Sequence, residues 1–219
     1  MVMSDVGLAK TLRAPVQGRS KASYERMLSA AEELMRSEGS CDFTLNAVSR
    51  KGKVSIGSIY NRFESKEDLL HAVQLRVVQR VDETMRTRLL AAKTEGRDLP
   101  HLIFGLVEAL AETLYEHQEV LRPLMTRATD DALVAETGKA SYVLAASSIK
   151  EAMLEYTDQI KQPNPKRAVD VAFRVTYSTI ARYLGLGSAM PGAWEGEWSV
   201  LKEDLSQMVA AFLGNPPIR

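Results

Sequence analysis

From Tyr24 onward, apolar residues recur at helical spacing, and no stretch shows sustained strand-type alternation. Tyr24, Met27, Leu28, Ala31, Leu34 and Met35 form one face of a first helix, and Gly39 is placed to end it. Residues 44–51 predict a short second helix with Leu45 and Val48 on its inner side. Thr44 is its N-cap, because a hydroxyl there can accept a backbone N–H that the helix leaves unpaired. Gly52, Lys53 and Val54 read as a tight turn. Ser55 then caps another short helix, in which Ile56, Ile59, Tyr60 and Phe63 keep helical spacing. Ser65 and Asp68 have capping-box spacing. A long helix follows from Lys66 to about Lys93, striped by Leu70, Val73, Val77, Val81, Met85 and Leu89.

The pattern continues to the end of the chain. A helix over 99–117 carries Ile103, Leu106, Val107, Leu110 and Leu114, with Pro100 in its first turn, where a missing N–H costs little. A separate short piece is expected at 120–127, around Pro123, and one long helical pattern over 130–160. Asn164 and Pro165 read as N-cap and first position of a helix ending near Gly185. A Gly/Pro loop at 188–196 precedes a last helix, 196–213, with Trp198, Leu201, Leu205, Val209 and Phe212. The expectation is an all-α fold of about nine helices, each with an apolar stripe to bury. Residues 1–19 lack periodicity and read as a flexible arm.

Composition narrows the class. The 219 residues are 45% hydrophobic and 26% charged, ordinary for a globular protein with a real core. The net charge is zero, but it is unevenly spread: ten of the 28 basic and six of the 28 acidic side chains lie in residues 1–63. That places a surplus of four positive charges on the N-terminal part, which suits a polyanion. Cys41 is the single cysteine, so no intramolecular disulfide can form. No run of about 18 apolar residues predicts a membrane span, and residues 1–18 lack the apolar core of a secretory signal. A cytoplasmic location without membrane contact is expected.

Residues 44–63 carry the functional signal. A short helix, a turn of about three residues and a second short helix make a helix-turn-helix, whose second helix can enter a DNA major groove. Ile59 and Phe63 would pack inward. Ser55, Ile56, Gly57, Ser58 and Asn61 leave a small, polar outer side that permits close approach to base edges.

Leu28-Ser29-Ala30-Ala31-Glu32-Glu33-Leu34, Gly39, Thr44, Val48 and the continuous run 54–70 (VSIGSIYNRFESKEDLL) resemble the tetracycline-repressor (TetR) family of bacterial regulators. The likeness covers residues 20–70; beyond them only the all-helical architecture is similar. One departure lies in the turn, where the family has alanine-glycine and this chain has Gly52-Lys53. Either Lys53 takes the left-handed conformation that glycine normally supplies, or the turn is reshaped around Gly52. The resemblance implies phosphate contacts from Thr44, Tyr60 and Lys66. It implies base contacts from Ser55, Ile56, Gly57, Ser58 and Asn61, with Lys53 beside them. Arg50, Lys51 and Arg62, and Arg19 and Lys21 of the N-terminal region, would add charge. Packing is the competing role for Tyr60 and Ile56, and plain solvation for Lys66 and Arg62.

The resemblance further implies a helix-turn-helix domain over 20–66 and a ligand-binding and dimerisation domain over 67–219. Candidate pocket walls are Phe104, Tyr115, Met125, Met153, Tyr156, Phe173 and Tyr177, for each of which core packing is the alternative. A homodimer is expected through helices 165–185 and 196–213, with Phe173, Ile180, Tyr183, Leu184, Leu201, Leu205, Met208 and Phe212 shared between interface and core. The expected partners are a double-stranded DNA operator and a small-molecule effector of unread class. No catalytic residue, metal or cofactor is expected: His71, His101 and His117 are scattered, and Cys41 has no partner at metal-ligand spacing. The implied function is a repressor released from a pseudo-palindromic operator by its effector. The alternative is an effector-independent helical module for DNA or protein binding.

Overall fold

The computed structural model describes residues 18–187 and 196–216, with side chains from Ser20 onward in the first helix. The expected arm therefore lies almost wholly outside the described residues, as do the side chain of Arg19 and residues 188–195 of the expected loop. Among the described residues the fold is all-helical. The helices are α1 (Gly18–Glu38), α2 (Leu45–Gly52), α3 (Ile56–Tyr60) and α4 (Lys66–Glu95). They continue with α5 (Leu99–Arg127), α6 (Ala132–Leu154), α7 (Pro165–Tyr183) and α8 (Trp198–Gly214). A 3-10 turn at Thr157–Gln159 ends the stretch read as one helix over 130–160.

Helix ends fall where capping chemistry puts them. Thr44 Oγ1 accepts from Ala47 N, Ser55 Oγ from Ser58 N and Asn164 Oδ1 from Arg167 N. The capping box at α4 is complete: Ser65 Oγ accepts from Asp68 N, and Asp68 Oδ2 accepts from Ser65 N, both at 3.1 Å. Gly39 ends α1 with φ +62°.

Two expectations fail on length. The helix read as ending at His117 and the piece around Pro123 are one helix, α5. Pro123 removes the bond to the carbonyl of Glu119, an exposed residue, while buried Val120 and Leu124 hold the chain on either side. The second short helix stops at Tyr60. Phe63 lies beyond it, in the connection to α4, yet is 2% exposed.

Two apolar cores share the long central helices. The first joins Met27, Met35, Phe43, Val48, Ile59 and Phe63 to the N-terminal half of α4 and to Val120 and Leu124 of α5. Cys41 belongs here: its Sγ donates to the Pro123 carbonyl at 3.4 Å, and burial pushes its thiol up to about 11. The second core gathers the rest of α4 and α5 with α6, α7 and α8. The two cores meet along α4 and α5 without a flexible linker between them.

A buried carboxylate fastens the first core to α4. Glu32 of α1 is 5% exposed and accepts from Arg76 Nη2 at 2.8 Å, Arg80 Nη2 at 2.6 Å and Arg36 Nη2 at 2.7 Å. Burial alone would push its carboxyl up, but the Arg80 and Arg76 guanidinium groups outweigh it and hold the group below its ordinary value.

Candidate nucleic-acid interface and effector cavity

The α2–turn–α3 unit presents a polar surface because its apolar residues are used underneath. Val48 and Ile59 are fully buried, whereas Ser55, Gly57, Tyr60 and Asn61 are exposed. Tyr60 is 59% exposed and Ile56 36%, so both project beyond the core they were weighed against. Ser55 and Ser58 hydroxyls share a hydrogen bond of 2.7 Å across the first turn of α3. Asn61 caps the C-terminus of that helix.

The turn resolves the Gly52-Lys53 departure. Lys53 takes the left-handed conformation, φ 50° and ψ 45°, and caps α2 with its N–H directed to Ser49 and Arg50 carbonyls. It is the only non-glycine residue with positive φ among the described residues. Gly52 serves another need. A Cβ there would stand 3.0 Å from the Arg26 carbonyl and 3.2 Å from Ala30 Cβ, so α1 crosses α2 too closely for a side chain. The Ser49 hydroxyl donates to the Val54 carbonyl at 2.6 Å and fixes the turn. Held this way, the exposed Lys53 ammonium belongs to the same outer surface as the start of α3.

Two helix N-termini flank this surface. Thr44 accepts from Ala47 N and still has its hydroxyl proton to donate, and the first turn of α2 contains no acid. Lys66 opens α4; its Nζ lies 3.9 Å from Asp42 Oδ1 and 5.4 Å from the Phe43 ring centroid. The Asp42 side chain is 85% exposed, so this pairing is weakly held in water and open to exchange for a stronger anion. Arg62 lies over the Tyr24 ring and bonds Ser20 Oγ, tying the end of α3 to the start of α1.

Below α4 and α5, roofed by α6, lies an apolar cavity of about 400 Å³, within the range of small-molecule sites. Of the wall residues expected from sequence, Met125 and Tyr177 line it. Phe173 and Met153 are buried in the neighbouring core, although Phe173 packs on Tyr142 of the cavity wall. Tyr156 lies elsewhere, donating its hydroxyl to the Gly96 carbonyl. Phe104 and Tyr115 are half-exposed on α5, and Tyr115 stacks on Trp198 of α8.

The polar lining was not anticipated. Gln74, 2% exposed, donates its side-chain amide to the Val134 carbonyl at 2.8 Å. Asp82 accepts from the Ser141 hydroxyl. The three polar residues lie on α4 and α6, whose facing sides sequence periodicity marks as helical but does not pair. Near the N-terminal end of α4, His71 Nε2 lies 3.0 Å from Asp131 Oδ2, and Asp131 also caps α6 through the Leu133 and Val134 amides.

At the chain's end, Phe173, Ile180, Leu184 and Leu205 are buried in the protomer's own core, and Tyr183 and Leu201 are half-buried. The exposed apolar residues are Val171 and Val175 on α7, and Val200, Met208 and Phe212 on α8. Among the described residues no cluster of His, Cys, Asp and Glu could hold a metal ion, and no helix is long and apolar enough to cross a membrane.

Residues 27–73 match the family of bacterial regulatory proteins, tetR family. No protein of curated function matches the chain in sequence. Solved structures share the whole architecture. One, described as a TetR-family transcriptional regulator from Mesorhizobium loti MAFF303099, is 16% identical with a TM-score of 0.69 over 90% of this chain and 98% of that one. Another, a transcriptional regulator from Saccharomonospora viridis in complex with choline, is 16% identical with a TM-score of 0.68 over 86% and 96%. A TetR transcription regulator from Haloarcula marismortui ATCC 43049 is 13% identical with a TM-score of 0.65 over 88% and 97%.

Proposed function

We propose that this chain, whose residues 27–73 are a tetR-family DNA-binding module set on the fold of TetR-family transcriptional regulators, is a homodimeric repressor released from its operator by a small molecule. The carrying observation is continuity. α4 begins at the DNA-facing surface with Lys66 and, from its third turn onward, lines the apolar cavity with Gln74, Val78 and Val81. A residue set that reads DNA and a cavity that admits a ligand therefore share one rigid helix.

The module would place α3 in the major groove. Ser55, Ile56, Gly57, Ser58 and Asn61 would meet base edges with Lys53 beside them, while Thr44, Tyr60 and Lys66 hold phosphates. The exposed pairs Val171/Val175 and Met208/Phe212, each spaced i, i+4, form apolar stripes on α7 and α8 that suit a two-fold interface. Such a dimer would set two α3 helices roughly 34–36 Å apart, matching a pseudo-palindrome. This division assigns residues 20–66 to DNA and 67–219 to ligand and dimer, in a protein of the cytoplasm.

Coupling runs through the start of α6. His71 and Gln74 of α4 grip Asp131 and Val134, and α6 roofs the cavity. A ligand that shifts α6 pulls on the first turns of α4 and re-aims the module fastened to it by Glu32. Release requires that the ligand bind the off-DNA arrangement more tightly than the other.

Selection of binding sites from random duplex DNA with the purified full chain tests this reading. A recovered pseudo-palindrome with two half-sites one helical turn apart is expected. Failure to enrich any sequence at low salt without ligand would overturn the ligand-released repressor.

A further inference from the structure

The cavity's polar groups are not evenly mixed. Acceptors dominate its buried side. Gln74 spends its amide N–H on the Val134 carbonyl, which leaves its own carbonyl oxygen as the group it can offer a ligand. Asp82 is fixed by the Ser141 hydroxyl, and among the described residues no cation stands within ion-pair distance of it. The single cation of the lining, Lys139, is exposed to solvent and pairs with no carboxylate among the described residues.

Aromatic rings stand on the same wall. Tyr142 and Tyr177 meet edge to face with centroids 4.8 Å apart, and Phe173 backs Tyr142 at 5.7 Å. Ring faces attract cations, most strongly in a site from which water is excluded. The remaining lining is apolar, including Val81, Met85, Leu110, Leu114, Leu124 and Met125. Met and Leu side chains there can adapt to a bulky body.

Resting on the reading of this cavity as the effector site, we infer that its ligand class is an organic cation with an apolar body. The ammonium or other cationic head would sit between the Asp82 carboxylate and the Tyr142 and Tyr177 rings. The body would lie against the α4–α5 wall. An anionic head would meet the Gln74 carbonyl oxygen and the Asp82 carboxylate there, and a neutral apolar molecule would leave the Asp82 charge uncompensated when water is displaced.

Three probes of one body and different charge separate these outcomes: 4-phenylbutyltrimethylammonium, 5-phenylpentanol and 5-phenylpentanoate. Calorimetric titration of the full chain without DNA reads binding directly. The expected order places the cation at least tenfold tighter than the alcohol, with the carboxylate weakest. In Asp82→Asn, which keeps an acceptor for Ser141, the cation should lose about tenfold while the alcohol is unchanged, a difference of about 1.4 kcal/mol. Circular dichroism and thermal melting of the variant confirm that it is folded, and Tyr142→Leu provides a second variant that removes a ring without touching the charge. Equal binding of cation and alcohol, preference for the carboxylate, indifference to Asp82→Asn, or no binding by any probe would each overturn the assignment. Binding in the expected order with no change in operator affinity would keep the ligand class and overturn the effector role instead.

Discussion

The N-terminal module and the helical body below it solve opposite problems with the same two helices. In the module, most large apolar side chains are consumed: Val48, Ile59, Phe43 and Phe63 are at most 2% exposed, and the outer surface is polar apart from Ile56 and the Tyr60 ring. In the body, packing stops short and leaves about 400 Å³ between α4, α5 and α6. The module is therefore rigid and chemically defined by its outer surface. The body is defined by its interior. α4 belongs to both, with Leu69, Val73 and Val77 in one core and Met85, Leu89 and Ala92 in the other. The difference teaches that a defined polar outer surface can be written on tight local structure, whereas an internal cavity has to be left open by long-range packing.

The comparison can be broken first at the module's surface. Replacing both Tyr60 and Lys66 with alanine should lower operator affinity by more than a hundredfold at moderate salt, with a shallower dependence on salt concentration. Fluorescence anisotropy across a salt series reads both, while the melting temperature should fall only slightly, because Tyr60 is exposed and Lys66 touches the core only through the Phe43 ring. Unchanged affinity and slope would remove these residues from the phosphate contacts.

Next in size is the fastening between the two regions. Glu32→Gln leaves Arg76 and Arg80 facing a neutral amide and should cost about 2 kcal/mol, less than a fully buried pair because both arginines reach solvent. The carboxyl is held below its ordinary value, so its stabilisation is complete above the unfolded-state value and is lost as pH falls through the folded one. Denaturant titrations should show the gap between wild type and variant at neutral pH and its closure in acid. A gap that persists unchanged into strong acid would exclude the ion network as its source.

A smaller effect is expected at the cavity. Gly138 lies in α6, and a Cβ there would meet nothing within 4 Å. Gly138→Ala should raise stability by about 0.8 kcal/mol through helix propensity while narrowing the cavity. Thermal melts should rise and ligand affinity fall together. The smallest change is expected at Lys53, whose left-handed backbone is strained for a side chain. Lys53→Gly should gain about 0.5 kcal/mol in stability and lose operator affinity, opposite signs that mark strain kept for a surface contact. If affinity is unaffected, the lysine has no part in the DNA contact.

The module was legible in the sequence because its determinants are local. Thr44, Ser55 and the Ser65/Asp68 pair are caps that act within four residues, and the tight turn was readable from Gly52 and Lys53. Even there, sequence could not say which of the two would take the left-handed conformation. The structure places it at Lys53, while Gly52 answers a separate, long-range demand: the Arg26 carbonyl of α1, twenty-six residues earlier in the chain, leaves no room for a Cβ. The body was legible only as helices. Met125 and Tyr177 line the cavity, but Phe104 and Tyr115, equally aromatic and at equally helical spacing, face outward, because helical period fixes a face without naming its neighbour. Gln74, Asp82 and Ser141 escaped for the same reason: each acquires meaning from a residue on the opposite helix, about sixty positions away.

Cys41 gives this molecule a clock of its own. The thiol is 6% exposed, pushed up to about 11 and donated to the Pro123 carbonyl, so the reactive thiolate is nearly absent while the module is seated on α5. Because it is the single cysteine of the chain, any alkylation of the native protein counts openings of that one seam. The labelling rate is then a measure of how often the N-terminal module lifts from its support, and ligands or DNA that hold it down would register as lost seconds of exposure.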